Sequence, residues 1–395
     1  MKKLAELITN VVKDAFAQCN YSPKYGLVTL SNRPDLCQFQ CNGALAAAKE
    51  YRKAPITIAT EITTLLKKHP DIKEASCAMP GFINITLEDH FIVSYINAMI
   101  AADKFGCEEI GNNKTFIVDY GGPNVAKPLH VGHLRTAIIG ESIKRIGRFL
   151  GYKMLGDVHL GDWGLQIGLI IAELKRRSPD LIYFDESYKG EYPMEAPFNI
   201  TELEEIYPTA SSYAKSNPDF MEEAKQSTFL FQNGHRGYVA LWQHILNVSI
   251  EDLKKNYANL NVYFDLWKKE SDAQPYIPKM LEDLKNNGFA YLSDGALVVD
   301  VKDVSDTKDV PPCILVKSDG ATLYSTTDLA TIIERMELYN PDEIIYIVDK
   351  RQELHFEQVF RCAKKANLVP PNTKLTFLGF GTMNGKDGKN FMRLS

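Results

Sequence analysis

The sequence has little that would place it in a membrane or in an oxidising compartment. Nowhere do its 395 residues run to the ~20 consecutive apolar positions that a membrane helix needs. The amphipathic opening from Met1 to Cys19 lacks the continuous apolar core of a signal peptide. No membrane partner is expected, and cytoplasmic residence is. Cysteine is sparse: seven, an odd number, at 19, 37, 41, 77, 107, 313 and 362, which suits reduced thiols better than a disulfide framework. Cys37 and Cys41 form no CxxC, so no protein-bound zinc is expected. Charge of one sign is not in excess either. Forty-five basic against 50 acidic residues give a net charge of -5, so any nucleic-acid surface must be local. Repeats and low-complexity tracts are also missing. What is present is an ordinary globular composition, 45% hydrophobic and 24% charged, long enough for two or three domains.

The first segment spaces Leu4, Leu7, Ile8, Val11, Val12, Ala15, Phe16 and Cys19 as one apolar stripe of a helix. Helical patterns recur at Gln38 to Arg52 and at Ile56 to His69. Ile72 to Met79, the turn Pro80-Gly81 and the alternating Ile83, Ile85 and Leu87 predict a hairpin, and a helix follows over about His90 to Lys104. These elements make a small α+β domain over residues 1–112, closed by the polar stretch Gly111 to Lys114. From residue 113 the pattern becomes strand, loop, helix: Thr115 to Tyr120, the Gly/Pro loop Gly121 to Leu129, then Val131 to Leu150. A second unit runs from Tyr152 to His159 through Gly161-Asp162-Trp163-Gly164 into Leu165 to Arg177. A helical, acidic insertion occupies about 178–287. Strands at Leu297 to Val301, Cys313 to Lys317, Glu343 to Val348 and Lys374 to Phe380 then alternate with helices at Asp328 to Leu338 and Glu353 to Asn367. The expected fold class for 113–395 is α/β, a Rossmann-like doubly wound parallel sheet.

A strand ending in a loop at a helix N-terminus is where such a sheet binds phosphate, because unpaired backbone N–H groups and the helix dipole favour negative charge. Gly121 to His133 occupies that place and is neither GxGxxG nor GxxxxGK[ST], which excludes dinucleotide and ordinary P-loop readings. It offers His130-Val-Gly-His133 instead: two imidazoles three apart share a helix face, each able to donate to a phosphate, with Gly132 letting a flat ring approach the backbone. By itself HxxH reads more readily as a pair of capped or core-satisfied histidines. Asp119, Asn124 and Lys127 beside it, and further clusters downstream, favour the functional reading.

Asp119 to Gly140, Gly161 to Gln166, Glu270-Ser271, Leu323 to Ala330, Gln352 to Gln358 and Gly381 to Lys389 stand in the order found in arginyl-tRNA synthetases, a class I aminoacyl-tRNA synthetase family, and the chain resembles that family from 119 to 389. Its N-terminal domain resembles the family's extra domain, which holds the elbow of the tRNA. The resemblance implies ATP-dependent activation of arginine to arginyl-adenylate and transfer to tRNA(Arg), with Mg2+ accompanying ATP; a monomer is the default expectation. Stabilisation of charge on the leaving pyrophosphate would fall to His130, His133 and Lys127. ATP would also meet Gly132, His355 and Phe356, and the mobile-loop lysines Lys386 and Lys389. A planar guanidinium with five donors asks for carboxylates: by resemblance Asp328 and Glu270 hold it, Asp119 lines the pocket, Tyr324 shares a helical face with Asp328, and Asn124 and Gln352 bind the amino and carboxylate ends. Trp163 reads equally as core or as ligand-facing. Two departures stand out. Gly121 and Gly122 replace the family's hydroxyl-bearing residues, and the chain stops at Ser395, before the family's C-terminal anticodon-binding domain, which leads to the expectation of impaired charging. Alternatives are a non-catalytic relative that binds arginine or tRNA, or another class I nucleotidyl transferase.

Overall fold

The computed structural model describes residues 1–381 except 128, 130 and 308, and of Val131 the backbone alone. The chain divides into two units, Met1–Glu109 and Ile110–Ser395. The first contains α1 (Leu4–Gln18), β1 (Val28–Leu30), β2 (Phe39–Cys41), α2 (Gly43–Tyr51), α3 (Pro55–Leu66), β3 (Ile72–Ala78), β4 (Phe82–Leu87) and α4 (Asp89–Ala101). Its antiparallel sheet has the order β1-β2-β4-β3. The apolar stripe of α1 is what ties it down: Ile8, Val12 and Phe16 are fully buried, each worth about 1.5–3 kcal/mol of burial. The helix expected from Gln38 is corrected at its start. Phe39 and Cys41 are buried on either side of a half-buried Gln40, the two-residue period of a strand, and β2 pairs with both β1 and β4 before α2 begins.

The second unit contains β5 (Thr115–Asp119), α5 (Val131–Phe149), β6 (Lys153–Asp157), α6 (Leu165–Arg177), α7 (Ile200–Ser216), α8 (Pro218–Gln232), α9 (Arg236–Asn259), α10 (Glu270–Ala273), α11 (Ile277–Asn286), β7 (Ala290–Ser293), β8 (Ala296–Val299), β9 (Cys313–Val316), α12 (Tyr324–Tyr339), β10 (Glu343–Asp349), α13 (Glu353–Lys365) and β11 (Lys374–Phe380). A parallel sheet of order β11-β10-β5-β6 carries it. The chain leaves β5 for β6 on one side and later adds β10 and β11 on the other. The crevice at the carboxyl ends of β5 and β10 is therefore the switch point at which such sheets take ligands. The strands predicted near 297–301 and 313–317 do not rejoin this sheet. They are β8 and β9 of a separate antiparallel sheet of order β7-β8-β9.

The insertion is helical from α7 to α9, with a reciprocal cap in which Asn199 and Glu202 satisfy each other's backbone N–H groups at 2.8 and 3.0 Å. Its last stretch returns to the sheet. Leu266 and Lys269 form parallel bridges with Asp157 and Leu160, which lays the segment leading into α10 alongside the extension of β6. No helix among the described residues is long and apolar enough to cross a membrane.

Candidate active site

Asp119 ends β5, and its register partners on the neighbouring strands are Asp157 on β6 and Tyr346 on β10. Carboxylates side by side on adjacent strands, about 4.8 Å apart, repel unless a cation joins them. Arg335 of α12 is that cation: its NH2 nitrogen lies 2.6 Å from Asp119 and 2.7 Å from Asp157. The side chain is 1% exposed, with its guanidinium 5.4 Å from the Tyr346 ring centre. Burial alone would discharge it, but the neighbouring acids overcome that and hold Arg335 firmly protonated. Asp119, expected to line a pocket for a guanidinium, thus already shares one guanidinium of the chain itself with Asp157.

Asp328, Thr331 and Arg335 stand at i, i+3 and i+7, on one face of α12. Thr331 Oγ1 is 3.5 Å from His159 Nε2, and Asp328 Oδ2 is 2.6 Å from His355 Nε2. Burial works against a charged imidazole, yet the Asp328 carboxylate outweighs it and raises the His355 pKa. Glu270, the first residue of α10, faces the same place from the returning insertion. Burial pushes its carboxyl up to about 7, the Asp162 and Asp328 charges act in the same direction, and His159 and the Trp163 N–H oppose them. Acids far apart in sequence, Glu270 and Asp328, therefore converge. Among the described residues Glu270 has no ion pair, so the site carries negative charge available to a cation.

The loop after β5 is held from several sides. Val125 N–H donates to Gly161 O at 3.0 Å and Gly161 N–H to Pro123 O at 3.1 Å, Gln166 reaches Val125 O at 2.6 Å, and Ser249 of α9 accepts from Ala126 N at 3.0 Å. Ala126 is kept at a φ of +58°, strain of the kind that surrounding structure enforces at functional sites. The two glycines have a steric reason. A Cβ on Gly122 would meet the His159 carbonyl oxygen at 2.2 Å, and Gly121, at φ +81°, would press a Cβ against the Phe264 ring at 2.9 Å. A hydroxyl-bearing residue at either position would displace the backbone that carries His159 or the ring that packs on Tyr120 and Tyr257.

The expected site residues distribute unevenly. Gly132 and His133 lie in the first turn of α5. Lys127 places its ammonium 4.7 Å from the Tyr207 ring centre of α7. Asn124 is exposed and bridged to Gly161, Gln352 is exposed at the N-cap of α13, and Tyr324 opens α12 at 75% exposure. His130, Lys386 and Lys389 lie outside the described residues. One assignment to ATP needs correcting. Phe356 is 5% exposed and packs on Tyr346, Phe360 and Phe377, because its place in α13 points it into the core beneath the sheet. His355 is committed to Asp328, on the acid side of the site. Trp163 packs edge-on against Phe231 and Trp242, half-buried against the core.

Sequence reasoning did not single out Arg335, Asp157 and His159. Arg335 carries a signal in retrospect, standing two turns after Asp328 on the same helical face; His159 has none beyond its nearness to Gly161. The His159 Nδ1 is buried without a hydrogen-bond partner among the described residues.

Comparison with known proteins adds family to geometry. Residues 95–394 match the catalytic domain described as "tRNA synthetases class I (R)", and residues 2–87 match the "Arginyl tRNA synthetase N terminal domain". A curated arginine–tRNA ligase from Alkaliphilus oremlandii is 62% identical over 391 residues, 99% of this chain and 67% of that protein. One from Agathobacter rectalis is 60% identical over 392 residues, 99% of this chain and 66% of that protein. The crystal structure of arginyl-tRNA synthetase from Plasmodium falciparum superposes with a TM-score of 0.72 at 27% identity, over 97% of this chain and 66% of that one. The Thermus thermophilus arginyl-tRNA synthetase, at 19% identity and TM-score 0.67 over 98% and 67%, shares the fold. The chain spans about two thirds of the length of the relatives it matches.

Proposed function

Because the chain belongs to the arginyl-tRNA synthetase family, we propose that it activates arginine with ATP and passes it to tRNA(Arg). The observation that carries the arginine part is the convergence of two half-buried acids from different elements, Glu270 and Asp328, near the switch point of the sheet. A guanidinium is charged at every physiological pH and offers its donors in a plane. Two carboxylates from different elements suit it, and a neutral isostere would leave them uncompensated.

In this reading the arginine carboxylate attacks the α-phosphorus of ATP and pyrophosphate leaves; the 2′-hydroxyl of the tRNA's terminal adenosine then attacks the carbonyl carbon of the adenylate, forming the arginyl ester and releasing AMP. Magnesium enters with ATP. No protein nucleophile is needed, so the chain's own residues position reactants and balance charge. Asp328, oriented by His355, and Glu270 hold the guanidinium; Asn124, Gln352 and Tyr324 meet the rest of the amino acid. Asp119, already paired, fixes Arg335 below. His133, in the first turn of α5, is assigned to the phosphates, where donors at a helix N-terminus favour developing negative charge, and His130 and Lys127 join it on sequence grounds. Lys386 and Lys389 belong to the same proposal on sequence grounds. The first unit, which contains none of these residues, serves tRNA, and the enzyme works as a cytoplasmic monomer.

Calorimetry of the chain against arginine and citrulline, whose urea is a neutral isostere of the guanidinium, tests the carrying observation. Arginine should bind and citrulline should bind at least about a hundredfold more weakly. Equal binding of the two would overturn the acid-pair reading. Pyrophosphate release from ATP should depend on arginine and on no other amino acid.

A further inference from the structure

Asp162 has a fully buried carboxylate and, among the described residues, no ion pair. Burying such a group without a cation is costly unless hydrogen bonds fill it. One residue fills both oxygens: Ser271 donates its N–H to Oδ1 at 2.9 Å and its hydroxyl to Oδ2 at 2.7 Å. Ser271 follows Glu270. The same loop grips Glu270 itself, since the Glu270 N–H donates to Leu160 O at 2.9 Å. The loop is clamped in turn from the insertion, by the Trp242 indole N–H on Asp162 O at 3.1 Å and by Gln232 on Trp163 O.

α10 is only four residues long and cannot fix its own first residue by helical hydrogen bonding. The direction of the Glu270 side chain therefore depends on what holds residues 270 and 271 from outside. We propose that Asp162 is the positioning residue for Glu270: through Ser271 it sets the geometry of this arginine-binding acid, and its own buried charge strengthens the pull on the guanidinium without touching it. The inference rests on the arginine-binding reading above. The groups facing Glu270 are Asp162 and His159 from the extension of β6, Asp328 from α12, and the Trp163 N–H; Lys269 and Asp272 face Asp162. Asp162 and Asp328 both disfavour an ionised Glu270, so removing the Asp162 charge should let Glu270 ionise at lower pH.

Arginine and ATP calorimetry between pH 6 and 8 on the full chain and on Asp162→Asn, Ser271→Ala and Ser271→Thr tests this. Asp162→Asn should weaken arginine about tenfold or more at pH 8, leave ATP affinity unchanged, and move the rise of arginine affinity to lower pH. Ser271→Ala should weaken arginine about threefold or more with the pH midpoint in place, and Ser271→Thr, which keeps the hydroxyl, should restore it. An Asp162→Asn protein with an unmoved midpoint, or with arginine affinity within about twofold of the parent, would overturn the proposal. So would a Ser271→Thr protein as weak as Ser271→Ala. If Asp162→Asn does not fold, the two Ser271 variants decide. An unchanged chain that fails to bind arginine would overturn the functional reading, and this inference with it. Arginine binding by the parent together with indifference in the variants would overturn this inference alone.

Discussion

Arginine affinity should rise as pH passes through neutrality, with Glu270 as the main cause. Burial, then the charges of Asp162 and Asp328, push its carboxyl up to about 7 against the opposing His159 and Trp163 N–H. The guanidinium stays charged throughout, so it binds the ionised acid. With a pKa near 7 the ionised fraction is about one tenth at pH 6 and about nine tenths at pH 8, so affinity should increase about tenfold over that range. At pH 7 binding should release about half a proton, measurable by calorimetry in buffers of different ionisation heat. Folding carries the opposite sign. The folded pKa lies above the ordinary 4.5, so Glu270's contribution to stability is fully present below that value and lost as pH climbs through 7, by about 3 kcal/mol in all. Glu270→Gln should therefore weaken arginine, flatten its pH dependence and raise the melting temperature at pH 8 but not at pH 4.5. His355 can add to the same slope, because its raised pKa means that rising pH strips the cation from Asp328. Glu270→Gln separates the two contributions. An arginine affinity independent of pH from 6 to 8 would refute the reasoning, as would a Glu270→Gln protein that keeps the whole slope.

Three further outcomes follow from the geometry. Arg335→Gln leaves the buried Asp157 and the half-buried Asp119 side by side without their cation, and should cost about 3–5 kcal/mol in urea unfolding at neutral pH; a loss below about 1 kcal/mol would mean that the ion pair is not needed. His133→Ala should slow single-turnover adenylate formation about a hundredfold in an intact-length protein while sparing arginine binding, and a near-normal rate would remove His133 from the mechanism. Gly122→Ala pushes a methyl group into the His159 carbonyl and should cost about 1–3 kcal/mol, read as a lower melting temperature; an unchanged melting temperature would show that the loop has room.

The sequence by itself settled what repeats over a few residues. The stripe of α1, the hairpin of β3 and β4, and the alternation of β5, α5, β6 and α6 are written in periods of 3.6 and 2, and the helical insertion likewise. It also carried the ordered runs that placed Glu270, Asp328 and the His130 to His133 turn in one family. Elements too short to show a period escaped: β1 and β2 have three residues each, and β2 was absorbed into the helix that follows it. Periodicity also says that a segment is a strand without saying which strand it joins, so the separate sheet of β7, β8 and β9 came only with the structure. The same limit governs the site. Composition shows how many acids there are, but not which are already paired. Arg335 meets Asp119 across 216 residues and Ser271 meets Asp162 across 109, and no local pattern encodes contacts of that span. Tertiary packing therefore decided that Asp119 shares Arg335 with Asp157, that Phe356 belongs to the core, that His355 serves Asp328, and that Glu270 has no ion pair among the described residues. The reason is physical. A buried charge is stable only with a partner, and which partner it finds depends on how distant segments fold together.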